Sequence, residues 1–423
     1  MPRTGCVLCE CVISPFLTGL ELLRIVSRFA GSGTTIQTAG LSTHSGFADY
    51  FETRIALDCG GRRGNRGFKV LELRDVSKKV GADTHIHPTS LVFEPGHFNT
   101  LLGTTLAGKT TLMQLMAGLE RPTSGSVHFR GQDVTGVPVQ KRNVSMVYQQ
   151  FINYPNMTVF ENIASPLRVG GMAKEEIGRR VGQMAELMKI SAMLDRKPSE
   201  LSGGQQQRTA MARALVKDSD LVLLDEPLAN LDFKLREELR DELPKLFAER
   251  DCVVVYATTE PGEALLLGGR TVALSEGRVV DFGETGAIYR RPGNITSARV
   301  FSEPPINTVA VNKKSGKVAI NEAISWPAPN TLADGDYTVA IRAHHIRPER
   351  QHKGSVEIPA SVKVAEISGS ETMIHFDAFG GDWVSLSHGV HPFDAGAQTM
   401  LHADFSKAYY FSQDGQLAYG GES

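Results

Sequence analysis

The chain has 423 residues, which is long enough for two or three domains with hydrophobic cores of their own. Its 45 basic and 47 acidic residues give a formal net charge of -2, which argues against a protein that binds nucleic acid through bulk electrostatics. The hydrophobic content of 41% is typical of a soluble globular protein, and no run reaches the roughly 18–20 apolar residues that a membrane span needs.

The first 69 residues lack a clear hydrophobic period and are interrupted by glycine and serine, as in "CGGRRGNRG" at 59–67. The apolar stretch at 11–26 is short and contains Glu21 and Arg24, and because Glu10 interrupts the apolar core we do not interpret it as a secretory signal. A zinc site is an alternative for this segment, although the spacing of its four cysteines is not a familiar one: Cys6, Cys9, Cys11 and Cys59. We predict that residues 1–69 are a non-native or disordered extension and hypothesise that translation starts at Val70.

A phosphate-binding loop follows the first clear strands. A buried strand ending in "NTLLG" leads into "GTTLAGKTT" at 103–111 and then an apolar helix, which matches the pattern G-x4-G-K-[ST] in its strand–loop–helix context. Gly103 and Gly108 let successive backbone N–H groups face a phosphate at a helix N-terminus. Lys109 is suited to the β- and γ-phosphates and the Thr110 hydroxyl to Mg²⁺. The predicted nucleotide-binding residues here are Gly103, Thr104, Thr105, Leu106, Ala107, Gly108, Lys109, Thr110 and Thr111.

Two further motifs lie in the middle of the chain. The segment "LSGGQQQR" at 201–208 precedes an alanine-rich helix, and "DLVLLDEP" at 220–227 predicts a buried parallel strand that ends in two carboxylates. Asp225 is suited to a Mg²⁺ contact, and Glu226 to orienting or deprotonating an attacking water. Because an isolated Asp-Glu pair is usually a solvated strand end, this interpretation depends on the phosphate loop.

The order and spacing of these motifs resemble those of ABC-transporter ATPases over roughly residues 70–300. The resemblance implies that Gln149 in "MVYQQF" is the Q-loop glutamine, which contacts nucleotide and Mg²⁺, and that "ANLD", ending at Asp232, is the D-loop. It also implies an α/β P-loop NTPase fold with a helical subdomain at about 150–205. The signature residues would face the γ-phosphate bound by the opposite subunit of a head-to-tail dimer, with helix N–H groups aimed at the anion: Ser202, Gly203, Gly204 and Gln205.

The helical insert between Gln149 and the signature has two candidate surfaces. The helix "KEEIGRRVGQMAELMKI" places apolar residues at helical spacing, for which we favour core packing over docking to a membrane subunit: Ile177, Val181, Met184 and Met188. The preceding segment "FINYPNMTVFENI" at 151–163 is the preferred contact with the permease.

The sequence departs from the family at several positions. Thr259, in "VVVYATTEPGEA", stands where the family has its switch histidine, and threonine cannot carry a proton near neutral pH as imidazole does. The phosphate loop has Thr104 and Leu106 where relatives usually have proline and glycine. Val80 stands where an aromatic ring usually stacks on adenine. We predict Glu226 and Thr259 as the catalytic positions of a slow site, paired in a heterodimer with a second ATPase that supplies the histidine. A homodimer with two slow sites is the alternative.

The C-terminal third, from about residue 301 to 423, predicts short alternating strands typical of a small β-barrel. The stretches "VAIRAHHIRPE" and "AEISGSETMIHF" resemble the all-β OB-like regulatory domain of the ATPases of maltose-type sugar importers. The pair His344 and His345 is not interpreted as a metal site, because neighbours on the strand predicted at 337–349 point to opposite faces. His85 and His87, near the nucleotide motifs, are interpreted as surface histidines.

The resemblance implies an ATP- and Mg²⁺-dependent subunit that energises an importer for a carbohydrate or polyol, most similar to the paired ATPases of bacterial glycerol importers. Its expected partners are two transmembrane permease subunits, a second ATPase subunit and, indirectly, a periplasmic solute-binding protein, at the cytoplasmic face of the inner membrane. The alternative is a soluble ABC ATPase that acts on nucleic acid or ribosomes. A GTPase is disfavoured, because "NKKS" at 312–315 lacks the aspartate for guanine recognition.

Overall fold

The described part of the chain comprises residues 70–150, 152–229, 231–248 and 250–420 of a computed structural model. The prediction made for residues 1–69 lies outside this part. The first strand begins at Leu71, where the alternating pattern starts. Six strands precede the helical insert: β1 (Leu71–Val80), β2 (Asp83–Phe93), β3 (Phe98–Leu102), β4 (Ser124–Phe129), β5 (Gln132–Asp133) and β6 (Val144–Val147).

Two sheets form the N-terminal α/β part. A four-stranded antiparallel sheet has the order β2-β1-β4-β5. A six-stranded sheet has the order β10-β9-β3-β8-β7-β6, and its remaining strands are β7 (Leu221–Asp225), β8 (Val253–Thr258), β9 (Arg270–Ser275) and β10 (Arg278–Glu284). Its pairs are parallel except for β10, which runs antiparallel at the edge. Every residue of β7 and β8 is buried, as expected for parallel strands covered on both faces.

Eight helices are found among the described residues: α1 (Lys109–Ala117), α2 (Val159–Val169), α3 (Lys174–Leu187), α4 (Gly203–Leu215), α5 (Phe233–Ala248), α6 (Pro261–Leu267), α7 (Thr285–Arg290) and α8 (Ile295–Val300). Helix α2 begins with a capping box between Thr158 and Glu161. The apolar positions of α3 lie in the same hydrophobic core as residues of α2 and α4, so the core-packing prediction is confirmed. Within the described ranges no helix is both long and apolar enough to cross a bilayer.

The C-terminal part is all-β, as predicted. Its strands are β11 (Asn307–Lys314), β12 (Lys317–Ala319), β13 (Ser325–Pro327), β14 (Gly335–Ile341), β15 (Ile346–Arg347), β16 (Val356–Ser368), β17 (Glu371–Ala378), β18 (Gly381–His388), β19 (Gln398–Ala403), β20 (Tyr409–Phe411) and β21 (Leu417–Tyr419). They form two antiparallel sheets, ordered β13-β12-β11-β14-β20-β21 and β15-β19-β16-β17-β18, around one core. The buried Asn307 amide exchanges hydrogen bonds with the backbone N–H and C=O of Val384, at 2.6 and 2.8 Å, and so joins the two sheets into a barrel-like, OB-like domain.

The strand prediction around His344 and His345 is wrong. Strand β14 ends at Ile341, which pairs with Asn307 of β11. Residues Ala343–His345 then form a 3₁₀ turn. The two imidazole rings therefore lie near each other, with centroids 4.2 Å apart, and do not point to opposite faces. Burial lowers the pKa of both histidines, to about 4 for His345. Both histidines are half-buried, and the described residues contain no cluster of three or more metal-ligating side chains.

One buried arginine connects the barrel to the helices that precede it. Arg342 is only 5% exposed, and its guanidinium donates to the carbonyls of Phe301 and Tyr289, both at 2.9 Å, and to the Ser302 hydroxyl at 2.8 Å. The same group lies 3.9 Å from the centroid of the Tyr289 ring, a cation–π contact. Arg342 therefore satisfies backbone carbonyls at the ends of α7 and α8 from within the barrel.

We expect Arg342→Met to lower the free energy of unfolding by about 1–3 kcal/mol, because the Phe301 carbonyl loses its guanidinium donor and the Tyr289 carbonyl keeps the 3.3 Å hydrogen bond from the Tyr409 hydroxyl. Chemical unfolding followed by circular dichroism measures this. The control is Arg347→Met, since Arg347 is exposed and, among the described residues, its side chain makes one hydrogen bond, to the carbonyl of His344 at 3.4 Å. An equal loss in the two variants would contradict the connecting role.

Candidate nucleotide site

The predicted site residues meet at the carboxyl edge of the central sheet. The phosphate loop follows β3, Asp225 ends β7, Thr259 follows β8 and Gln149 follows β6. Because these four strands are parallel neighbours in the order β3-β8-β7-β6, the segments that follow them emerge at the same edge. The structure therefore brings the phosphate loop, the acidic pair, Gln149 and Thr259 together.

The phosphate loop has a backbone that requires glycine at both ends. A Cβ on Gly103 would lie 2.4 Å from the carbonyl oxygen of Leu274, and Gly108 has a φ of 100°. Gly108 is the N-cap of α1, whose first turn has no side-chain cap and no acidic residue. The first N–H groups of this helix are thus open to an anion. Of the other loop residues, Thr104, Thr105 and Leu106 are exposed. Ala107 is buried, and Thr111 is half-buried.

The lysine of the loop is buried beside a carboxylate. Lys109 Nζ donates to the carbonyls of Gly103 at 2.8 Å and of Thr104 at 3.1 Å, and it lies 3.4 Å from Oε1 of Glu226. The ammonium is held by the loop that would surround the phosphates. The ammonium of Lys109 is therefore already at the position where the phosphates are expected. A bound phosphate would replace some of the oxygens that now accept from it.

Two oxygen ligands suited to Mg²⁺ lie side by side. The Thr110 hydroxyl donates to Oδ2 of Asp225 at 2.7 Å. Asp225 is 2% exposed, and burial raises its pKa because it disfavours the charged carboxylate. A cation bound beside Asp225 would offset this cost and stabilise the charged form. Hydroxyl and carboxylate oxygens are the ligands that Mg²⁺ prefers, and it is usually held by one or two of them together with substrate phosphates. The residues present therefore fit the ion.

The second carboxylate of the pair is held between two polar groups. Gln149 donates through Nε2 to Oε2 of Glu226 at 2.9 Å, while Lys109 lies on the Oε1 side. Glu226 has a φ of 46°, so the chain leaves β7 in a left-handed conformation at this residue. The hydrogen bond of Gln149 is to Glu226 and not to the Thr110–Asp225 pair.

Thr259 is exposed at the end of β8. The residue before it, Thr258, accepts a hydrogen bond through its carbonyl from the Gly103 N–H at 3.4 Å, so Thr259 lies next to the start of the phosphate loop. Val80 ends β1 with half of its surface exposed. His85 is exposed and His87 is half-buried on β2, as predicted for surface histidines.

The signature segment forms the N-terminus of α4. Ser202 is the N-cap and forms a capping box with Gln205. The Gln205 N–H donates to the Ser202 hydroxyl, and the Ser202 N–H donates to the side-chain oxygen of Gln205. Ser202 and Gly203 are exposed and Gly204 is half-buried. In the described part of the chain, no hydrogen bond or ion pair joins these residues to the phosphate loop. Asp232 caps α5, accepting through Oδ1 from the Leu235 N–H at 3.0 Å.

Comparisons with known proteins agree with these motifs. Residues 86–229 match the family described as ABC transporter. The sn-glycerol-3-phosphate import ATP-binding protein UgpC of Pectobacterium atrosepticum is 34% identical over 352 residues, which cover 82% of this chain and 98% of that protein. The chain belongs to the ABC transporter ATP-binding proteins. It is therefore an ABC-type ATPase, and the predicted P-loop fold of that family is confirmed.

Two other proteins illustrate the range of relatives of this ABC ATPase. The spermidine/putrescine import ATP-binding protein PotA of Haemophilus influenzae is 38% identical over 252 residues, covering 59% of this chain and 68% of that protein. The dimeric structure of MJ0796, a bacterial ABC transporter cassette, is 29% identical, covers 51% of this chain and 98% of that chain, and has a TM-score of 0.48.

Sequence reasoning missed two side-chain contacts next to Thr259 in this ABC ATPase. Glu263 on α6 is buried against Tyr256 and Thr258, and Arg236 on α5 pairs with Glu260. A signal was available, because Glu263 is followed by "ALLL" on a short helix, where an acidic residue on the packed side needs a partner.

The loop position of Leu106 is unfavourable for its side chain in this ATPase. Leu106 has a φ of 69°, a left-handed backbone conformation that is unfavourable for a residue with a Cβ. Its side chain is 95% exposed, so packing does not compensate for this cost. We expect Leu106→Gly to raise the free energy of unfolding by about 0.5–1 kcal/mol. Chemical unfolding tests this, with Leu106→Ala as control, because alanine keeps the Cβ and hence the penalty. Equal stability of the glycine and alanine variants would contradict the explanation.

Proposed function

We propose that this ABC ATPase is the energising subunit of an importer whose solute is a carbohydrate or polyol, such as glycerol. The observation that carries this is the convergence of Lys109, the Thr110–Asp225 pair and Glu226 at one sheet edge. Import is supported by the relatives, since UgpC, named for glycerol 3-phosphate import, aligns over nearly its whole length. PotA is named for polyamine import, so the solute class rests on the motifs that resemble glycerol importers.

In this proposal the residues have distinct roles in hydrolysis. The N–H groups of 103–111 and the ammonium of Lys109 bind the phosphates. Thr110 and Asp225, with Gln149 nearby, would hold Mg²⁺, which when bound neutralises charge on the phosphates. Glu226 orients the attacking water and accepts its proton, and Gln149 holds the carboxylate through the 2.9 Å hydrogen bond.

A second ATPase subunit is part of the proposal. The signature residues Ser202 to Gln205 have an exposed helix N-terminus, which is suited to an anion bound by another chain. Thr259 cannot supply the proton chemistry of a histidine. We therefore favour a heterodimer in which the partner contributes the histidine, and Asp232 lies in the loop between the two sites.

The permease contact is proposed for the described residues of the 151–163 segment. Ile152, Tyr154 and Met157 are exposed apolar side chains on one short loop before α2. Docking of two transmembrane subunits there would place this chain at the cytoplasmic face of the bacterial inner membrane. The periplasmic solute-binding protein would then act only through the permease.

Uptake of radiolabelled solutes by the native bacterium tests this function. A strain lacking the gene is complemented with the wild-type chain or with Glu226→Gln, and glycerol, glycerol 3-phosphate, a disaccharide and spermidine are compared. We expect loss of uptake of glycerol alone, restored only by the wild type. Loss of uptake of one of the other three solutes would overturn the proposed solute class. Unchanged uptake of all four, together with copurified nucleic acid or ribosomes, would favour the non-transport alternative.

A further inference from the structure

A buried carboxylate lies behind the segment that carries Thr259. Glu263 is 4% exposed, and burial raises its pKa. Its Oε2 accepts two hydroxyl hydrogen bonds, from Tyr256 at 3.0 Å and from Thr258 at 2.6 Å. No ion pair to Glu263 is found among the described residues, so these two hydroxyls provide its compensation for burial. A costly buried group of this kind calls for an explanation.

The hydroxyl of Thr258 transmits the effect of Glu263 to the next residues. A hydroxyl has one proton, and because Thr258 donates it to Glu263, its lone pairs face the N–H of Glu260, which donates at 3.0 Å. The carbonyl of Thr258 accepts from the N–H of Gly103 at 3.4 Å. Thr258 is thus bonded both to the phosphate loop and to the residue beyond Thr259.

The other side of Thr259 is also fixed. Glu260 pairs with Arg236 at 2.9 Å, and Arg236 donates from its second terminal nitrogen to the carbonyl of Ala229 at 3.2 Å. Ala229 lies in the turn that follows Glu226, where its N–H bonds to the carbonyl of Glu226 at 3.3 Å. Thr259 is therefore held between contacts to the loop of Lys109 and contacts to the turn of Glu226.

We propose that Glu263 is a positioning residue for ATP hydrolysis, which through the Thr258 hydroxyl fixes Thr259 against the phosphate loop. This rests on the proposed assignment of Thr259 to the γ-phosphate side of the site. Without an acceptor at Glu263 the proton of the Thr258 hydroxyl has no fixed direction, and the hydrogen bond that this hydroxyl accepts from the Glu260 N–H is weakened. The backbone on both sides of Thr259 is then held less firmly, although the phosphate-binding groups stay in place.

A matched pair of variants of the full chain tests this. Glu263→Gln keeps a side-chain oxygen that can accept from Thr258, whereas Glu263→Leu has similar size and no acceptor. Leu266→Ala, exposed on the same helix, is the control for effects on α6. Single-turnover hydrolysis with protein in excess measures even a slow site, equilibrium binding measures ATP affinity, and hydrogen exchange reports the amides of Gly103 and Glu260.

For Glu263→Leu we expect hydrolysis to fall roughly 10-fold or more, because small misplacements at a reacting centre are costly, with ATP affinity changed less than about threefold. Exchange should rise at Gly103 and Glu260, while Glu263→Gln stays near the wild type. Equal damage from Gln and Leu, or faster exchange confined to α6 with unchanged hydrolysis, would overturn the proposal. If Glu263→Leu does not fold, Thr258→Val against Thr258→Ser makes the same comparison. None of these readouts depends on transport, so a failed importer proposal would be seen separately in the uptake experiment.

Discussion

Glu226→Gln is expected to abolish ATP turnover, by a factor on the order of 10²–10⁴, while ATP binding is retained. The amide has the size of the carboxylate, and its single oxygen can still accept from one of the two donors, Gln149 Nε2 and Lys109 Nζ, which lie 2.9 and 3.4 Å from the two carboxylate oxygens of Glu226. It cannot accept a proton from water, so only the chemical step is removed. Steady-state ATPase assays and equilibrium ATP binding on the same samples measure the two effects.

The control for this substitution is Glu242→Gln, the same change at an exposed residue of α5 whose carboxylate pairs with Lys245 at 2.8 Å. A solvent-exposed ion pair contributes little, so turnover should be unchanged. A Glu226→Gln variant that keeps normal turnover would mean that another group activates the water. Loss of ATP binding would instead mean that Glu226 mainly neutralises Lys109.

The phosphate loop and the acidic strand were predictable because their geometry permits few residue types. Only glycine fits at Gly103, where a Cβ would be 2.4 Å from a carbonyl oxygen, and at Gly108, with its φ of 100°. The uninterrupted apolar run of β7 predicts a strand buried on both faces, which places Asp225 at its end. These signals are local, so the sequence contains them directly.

The features that were missed depend on contacts between distant parts of the chain. The role of Arg342 depends on Tyr289 and Phe301, more than 40 residues earlier, and nothing in the pattern "VAIRAHH" indicates that its strand ends before His344. The period-2 alternation predicts which face a strand residue occupies but not where pairing stops, since the last partner of β14 is Asn307 on another strand. Likewise, the pairing of Glu260 with Arg236 links α6 to α5 through tertiary structure alone.

Thr259→His is expected to raise ATP turnover of the isolated chain by roughly 10-fold to 100-fold, because an imidazole can donate to the γ-phosphate and exchange a proton near neutral pH. The substitution should cost little stability, since Thr259 is exposed, whereas its neighbours Thr258 and Glu263 are buried and keep their hydrogen bond. Steady-state ATPase activity at constant ATP saturation measures the gain.

The matched comparison is Thr259→Gln, which has a hydrogen-bond donor of similar reach but cannot titrate. A gain with histidine and none with glutamine would support proton transfer as the missing function, and it would support the proposed partner that supplies a histidine. Equal gains with both would show that a hydrogen bond to phosphate suffices. No gain with either, with ATP still bound, would mean that the end of β8 does not limit hydrolysis, and the case for a histidine-supplying partner would then fail.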